Sequence, residues 1–381
     1  MTKVLHLIPD EKVTPFVQEV YESAFPGQNK FRVVGPKTKE AFRFTLPASN
    51  VSLARPSYFF SREMQADLKT ATLLVVHFMN PWFARAIWKA PSHTRVVWSG
   101  WGMDYQMIVP EFRDKRFLPK TQMILNTAGE LREKNTRNRQ KKTLKTILTS
   151  ILFRNWVQKM QARVDYVFVL PCEYRVLKSA LPKLTAKLCE LNYYSVEKTF
   201  RGGPEQMKGP DILLGNSNDP MNNHIDAIEA LAGLDLGDRR VIVPLSYGDN
   251  EQYKNLVLTE GARLLGRRFI PIKAFLPIEE YYQCIRSCGT VIMNHRCQQA
   301  IGNVAYAIYK GACIIIRNEN PVGQYFKSQG CSIRQVTSSN EWTTLLKQEL
   351  SPTEIQNNRA AIEGHWNTKE IINRIRMLAA N

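Results

Sequence analysis

The stretch DILLGNSNDPMNN, Asp211–Asn223, runs directly into HIDAIEAL, His224–Leu231. Ile212, Leu213 and Leu214 stop at Gly215; small polar residues and Pro220 follow; then Ile225, Ile228 and Leu231 recur at helical spacing. An apolar run, a break and an amphipathic run read as strand, tight turn, helix. Such a turn brings backbone N–H groups and a helix N-terminus to one point, which suits a phosphate. The plainer alternative is that Asp219 or Asn222 caps the helix.

Downstream, the spacing predicts strands over Arg240–Leu245, Phe269–Ile272, Thr290–Asn294, Ala312–Arg317 and Ser332–Val336, with helices between them such as Glu279–Ser287 and Val304–Lys310. Regular strand–helix alternation implies a parallel sheet covered on both faces. Upstream, strands are expected at Lys3–Ile8, Phe31–Val34, Leu73–His77, Arg95–Trp98, Asp165–Leu170 and Ala186–Leu191, and helices at Val13–Ser23 and Pro81–Lys89. The chain is thus read as α/β, with a first domain over 1–193 carrying a basic helical insert at 121–163. A Gly/Pro-rich linker at 194–210, a second domain over 211–352 and C-terminal helices over 353–381, which fold back on the first domain, complete it.

The 52 Lys and Arg residues outnumber 34 Asp and Glu, leaving a net charge of +18. Such a field favours an anionic partner. Half of it sits in Leu131–Arg163, where ten basic residues face one acid, Glu133. Within that run Leu144, Ile147, Leu148, Ile151, Leu152 and Trp156 recur at helical spacing. A basic amphipathic helix with Trp suits an anionic membrane surface, so Lys141, Lys142, Lys145, Arg154 and Trp156 are expected to face one. A helix packed on the core with a solvated charged face is the alternative. No nucleic-acid signature accompanies the charge, so no nucleic-acid partner is expected. No segment is apolar for long enough to span a bilayer, and no signal peptide is read at the N-terminus. The seven cysteines are scattered without ligand spacing, so neither a metal nor a cofactor is expected.

Four loops carry candidate chemistry. Gly215, Asn216 and Ser217 form the turn above. Arg296–Asn303, RCQQAIGN, is a second strand-to-helix turn, where Arg296, Gln298 and Gln299 could reach a diphosphate or sugar beside Gly302 and Asn303. Arg317–Pro321, RNENP, offers Glu319 to hydroxyls of a ribose or sugar. Trp98–Asp104, WSGWGMD, sets tryptophan faces beside Asp104, a candidate general base for an acceptor hydroxyl; His77 is its rival. Each has a plainer reading as a capped helix start, a solvated loop, core packing or a satisfied core histidine. The P-loop, GxSxG, HExxH and GxGxxG patterns are absent.

At these residues the chain resembles a known family. GNSNDPMNNHIDAIEAL, VIVPLSYGDNEQY (Val241–Tyr253) and QQAIGNVAYAIYKGACIIIRNENP (Gln298–Pro321), with WSGWGMD, are similar to the enterobacterial TDP-N-acetylfucosamine:lipid II N-acetylfucosaminyltransferases, the 4-α-L-fucosyltransferases of glycosyltransferase family fifty-six. The resemblance implies a GT-B fold, two Rossmann-like domains facing a central cleft. It also implies an enzyme at the cytoplasmic face of the bacterial inner membrane; no Asp-x-Asp motif appears, so a metal-independent enzyme is expected. Its donor would be a dTDP-linked amino sugar. Its acceptor would be an undecaprenyl-diphosphate saccharide of enterobacterial common antigen or a related surface polysaccharide. Gly215, Asn216, Ser217, Gln299, Gly302, Glu319 and Asn320 would then face the donor; Trp101, Gly102 and Asp104, with Trp98, would face the acceptor. Many GT-B enzymes place a glutamate five residues before the glycine matching Gly311; here Tyr306 stands there. A nucleotide-sugar epimerase or phosphorylase of the same fold, and a basic nucleic-acid-binding protein, are the competing readings.

Overall fold

A computed structural model describes residues 3–35, 42–109, 111–112, 115–135, 144–201 and 205–380. The chain forms two compact units: Met1–Val109, Gln140–Ser195 and Trp366–Asn381 make the first, and Pro110–Arg139 with Val196–His365 the second.

The first unit carries strands β1 (Val4–Pro9), β2 (Asn29–Val34), β3 (Val51–Leu53), β4 (Leu73–His77), β5 (Arg95–Ser99), β6 (Tyr166–Phe168) and β7 (Lys187–Leu188). They pair in parallel in the order β3-β2-β1-β4-β5-β6-β7. β1 and β4 are buried on both faces and apolar but for His6 and His77, as strands of a sheet covered on both sides are. The second unit repeats the plan with β8 (Ile212–Leu214), β9 (Val241–Pro244), β10 (Phe269–Ile272), β11 (Thr290–Met293), β12 (Cys313–Arg317) and β13 (Arg334–Val336), all parallel in the order β10-β9-β8-β11-β12-β13. In each sheet the chain winds outward from its first strand, then crosses back to continue on the other side. The crossing point is where such sheets bind ligands, beyond the strands' carboxyl ends.

The structure departs from the sequence reading in several places. β3 and the helices Arg62–Thr70, Pro171–Ala180 and Glu251–Leu265 join the expected elements. The described part of the basic region forms the helices Pro119–Asn135 and Leu144–Met160. The first of these belongs to the second unit. Its N-terminus is capped at long range: Asp226 accepts from the Lys120 and Thr121 N–H groups and from the Thr121 hydroxyl. Ile124 and Leu125 then pack on the second core. The C-terminal tail divides as well. Helix Thr368–Met377 lays Ile371, Ile375 and Leu378 into the first core, beside Val17, Tyr21 and Ala24 of helix Thr14–Ala24. Arg376 clamps the end of that helix through the Ala24 carbonyl, 3.2 Å away.

Ile375 is fully buried. Ile375→Ala is expected to lower stability by about 2–5 kcal/mol, the usual effect of deleting a buried aliphatic side chain. Urea unfolding followed by circular dichroism checks it, and a loss below about 1 kcal/mol would show the tail to be dispensable for the first core.

Candidate functional site

The crossing point of the second sheet lies between β8 and β11. Gly215, just after β8, has φ 71°, and a Cβ there would lie 2.6 Å from His224 Nε2 and 2.7 Å from Asn222 Oδ1. Only glycine fits this turn. The Asn216 N–H donates to Asn222 Oδ1 at 3.0 Å, so that atom is the amide oxygen. His295 Nε2 lies 2.8 Å from the same oxygen and 3.2 Å from Asn216 Oδ1, so it must carry the proton. Asn222 Nδ2 reaches Ser217 Oγ, the Asp219 carbonyl and, at 3.5 Å, Gln299 Oε1. His224 and His295 are fully buried. Burial, and for His224 the neighbouring His295, pushes both imidazoles down to about 3, so both are neutral. Among the described residues, His224 Nε2, His295 Nδ1 and Asn294 Oδ1 have no hydrogen-bond partner.

This network assigns the two expected phosphate turns different parts. In the Gly215 turn, the Gly215 N–H goes to the Ile292 carbonyl and the Asn216 N–H to Asn222, while Ser217 is buried with its hydroxyl accepting from Asn222 and the Asp219 N–H. The next helix is closed off where the His224 N–H donates to the Tyr253 hydroxyl. The turn therefore braces the rim. The turn after β11 is open. Ala300 takes the left-handed conformation at φ 57°, and no side chain caps the helix Ile301–Tyr309. Its first N–H groups lie beside half-buried Gln299, Gly302 and Asn303, with Gln298 buried beneath. An uncapped helix start is an anion site by geometry and dipole.

Arg296 and Arg317 share one acid: their Nε atoms donate to Glu319 Oε1 at 3.1 and 2.9 Å. Burial opposes ionisation of Glu319, but hydrogen bonding and the two guanidinium groups hold its carboxyl below the usual range. Asn320 is fully buried; its oxygen caps helix Pro321–Ser328 and its amide nitrogen donates to the His295 carbonyl, so it staples the loop. Tyr306 stacks on Tyr282, ring centroids 4.3 Å apart, and takes no place among these polar groups.

The first sheet's rim is closed. Asp104 is fully buried and accepts from the Met79 N–H, the Trp98 indole N–H and the Trp101 N–H, each at 2.9 Å. It ties the loop down instead of meeting a substrate hydroxyl. Trp98 is equally buried, a core residue rather than an acceptor platform. Trp101 is half-buried against the core, and Gly102, at φ 104°, starts the helix Met103–Ile108. His77 lies in a ladder whose polarity follows from one amide. Asn29 Nδ2 donates to three oxygens, so its Oδ1 accepts from His6 Nε2. His6 Nδ1 then accepts from His77 Nε2, and His77 Nδ1 accepts from the Tyr193 hydroxyl, both at 3.1 Å. Both ring nitrogens of His77 are taken and the ladder ends on an amide, so His77 is a core histidine. The sequence reading missed Glu173, at the start of helix Pro171–Ala180, whose Oε2 accepts from the Tyr105 hydroxyl at 2.5 Å. Burial pushes its carboxyl up to about 8 and that of Asp104 to about 6. Its sequence signal, Pro171-Cys172-Glu173, is that of an ordinary helix start.

Of the expected membrane-facing residues, Lys141 and Lys142 lie outside the described residues and Lys145 lies in the helix Leu144–Met160. Arg154 is exposed. Trp156 is buried against Trp82 and Phe60, correcting the expectation that it faces outward. Among the described residues no group of three His, Cys, Asp or Glu is placed to hold a metal ion.

A family model described as 4-alpha-L-fucosyltransferase, glycosyl transferase group 56, matches residues 152–351, just over half of the chain. The fold is similar to that of Anabaena HepE in complex with UDP-glucose, with a TM-score of 0.66 at 12% identity over 100% of each chain. It is also similar to a UDP-forming trehalose-phosphate synthase from Burkholderia xenovorans (0.64, 10%, 100% of this chain and 99% of that one). Sucrose-phosphate synthase from Thermosynechococcus elongatus gives 0.62 at 10% identity, over 99% and 98%. At such identity the likeness is one of fold, the two Rossmann-like units of GT-B.

Two outcomes are expected from the first rim. A buried carboxyl with a raised folded value stabilises while protonated, so Glu173 contributes below its ordinary 4.5 and loses that contribution as pH rises toward about 8. The buried histidines act oppositely: their contribution is present above 6.5 and is lost as pH falls. The thermal midpoint should therefore peak near neutrality, and Glu173→Gln should flatten its alkaline side; an unchanged alkaline slope refutes the assignment. Asp104→Asn turns an NH2 group toward N–H donors and should cost about 1–3 kcal/mol in urea unfolding.

Proposed function

The chain belongs to the 4-alpha-L-fucosyltransferase family, glycosyl transferase group 56, and from that premise we propose which sugar it moves and where. The enzyme is a glycosyltransferase. Its donor is a dTDP-linked amino-deoxysugar of the N-acetylfucosamine type. Its acceptor is an undecaprenyl-diphosphate-linked saccharide, in synthesis of enterobacterial common antigen or a related surface polysaccharide. It works as a peripheral protein at the cytoplasmic face of the inner membrane. Among the described residues, no helix is long and apolar enough to cross a membrane.

The observation that carries the donor side is the uncapped start of helix Ile301–Tyr309, with Arg296 and Gln299 beside it. During transfer the acceptor oxygen bonds to the anomeric carbon. The bond from that carbon to the diphosphate breaks, and its electron pair leaves with the diphosphate. The acceptor's proton passes to solvent. Negative charge grows on the leaving oxygen, and preorganised N–H groups and Arg296 stabilise it there. Gly215, Asn216, Ser217 and Asn320 hold this rim in shape. Glu319 orients Arg296 and presents its remaining oxygen to donor hydroxyls. Asp104 and His77 keep the acceptor loop in place and take no proton. Trp101 and Gly102 line that loop.

Thermal-shift titration with dTDP, UDP and GDP tests the reading. A nucleotide at a hundred times its dissociation constant stabilises by about 2.7 kcal/mol. dTDP is expected to give the largest shift at equal concentration, and Arg296→Ala should weaken it by roughly tenfold or more, the loss of a charge-assisted hydrogen bond. An undiminished shift in Arg296→Ala would move the diphosphate away from this turn. A larger shift with UDP or GDP would remove dTDP.

A further inference from the structure

The first unit carries a surface that none of the chemistry above uses. It is built by the 3-10 turn Pro56–Phe60, helix Pro81–Lys89 and the second half of helix Leu144–Met160. Phe60 is 54% exposed, with Trp82 and Trp156 6.0 and 6.3 Å from it, ring centre to ring centre. The Arg85 guanidinium lies 4.4 Å above the Phe60 ring, held by its bond to the Phe59 carbonyl. Further along the same helix, Trp88 is flanked by two ammonium groups, Lys89 Nζ at 4.1 Å and Lys159 Nζ at 4.3 Å. Arg154 and Ile151, the latter 58% exposed, stand on the adjoining helix.

Among the described residues, none of Arg85, Lys89, Arg154 and Lys159 forms an ion pair, although elsewhere the chain's exposed bases often do, as in Lys120–Glu229 and Arg263–Glu260. Two like charges on one indole repel each other, and an anion approaching them would relieve that repulsion. Exposed apolar side chains stand among the cations. That combination is how protein surfaces enter a headgroup layer: aromatic rings at the interface, basic heads on the phosphates.

We propose that this face docks on anionic phospholipid, with Lys89 and Lys159 taking headgroup phosphates and Phe60 and Ile151 entering the acyl boundary. The inference rests on the polyprenyl-acceptor reading and deepens it, since an enzyme with a membrane-held acceptor needs a face toward the bilayer. The face shares Arg154 and the helix Leu144–Met160 with the one expected from sequence and adds Phe60, Arg85 and Lys89. Trp156 supports it from beneath, Phe60 is exposed, and Trp88 is partly buried between Lys89 and Lys159.

Co-sedimentation of the full chain with phosphatidylglycerol/phosphatidylcholine vesicles and with pure phosphatidylcholine vesicles tests it. The wild type should bind only the anionic vesicles. Lys89→Glu/Lys159→Glu and, separately, Phe60→Ser should each lose about tenfold or more in partitioning. A control with equal charge change on the second unit, Lys327→Glu/Lys347→Glu, should lose far less. The nucleotide-induced thermal shift, read on each variant, establishes that it is folded. If the wild type ignores anionic vesicles, the membrane reading itself fails. If it binds them and the Lys89/Lys159 and Phe60 variants bind equally well, this face is overturned while the membrane reading survives. Displacement from vesicles by a short single-stranded oligonucleotide at lower concentration than the lipid would assign the face to nucleic acid instead.

Discussion

The side-chain amide of Asn222 holds the rim of the second sheet together. One backbone N–H, that of Asn216, orients it. Its oxygen then decides which nitrogen of His295 bears the proton, and its NH2 group links Ser217, Asp219 and Gln299. The loops after β8 and β11 are thus joined by one planar group. Such a group tolerates little substitution: an aspartate would lose the donors, and a leucine would leave several buried polar atoms unpaired.

The two rims divide the electrostatics between them. The first contains buried carboxyls, Asp104 and Glu173, and histidines whose hydrogen bonds are already made. The second contains neutral histidines and, among the described residues, an amide oxygen without a partner and a helix start without a side-chain cap. Of its carboxylates, Glu319 is outnumbered by Arg296 and Arg317, and Asp219 is tied to the Met221 N–H and to Gln299. The second arrangement suits the anionic leaving group of the proposed reaction better than the first, and this supports placing the donor there.

The strands were legible because a parallel sheet covered on both sides needs apolar runs, and Leu73–Val76 or Ile314–Ile316 admit few other readings. Aromatic residues beside glycine were not. Trp98 and Trp156 look alike as platforms or as core, and only the packing of Trp98 onto Asp104 and of Trp156 onto Trp82 distinguishes them. Polar residues at the rim were found as a group, but their division into braces and contacts depends on hydrogen bonds across gaps as long as the 79 positions from Asn216 to His295. Helix Pro119–Asn135 was read with the first domain for the same reason: its cap, Asp226, lies about a hundred positions away.

The helix Thr368–Met377 has a temporal meaning. The chain enters the first unit, leaves it, returns, leaves again and comes back only for its last residues. Translation proceeds from the N-terminus, so the groove on helix Thr14–Ala24 that Ile371 and Ile375 occupy stays bare to water until a segment some 352 positions downstream has been made. The residues of the second unit precede Trp366 in the chain, so the first unit is sealed only after the second has been synthesised.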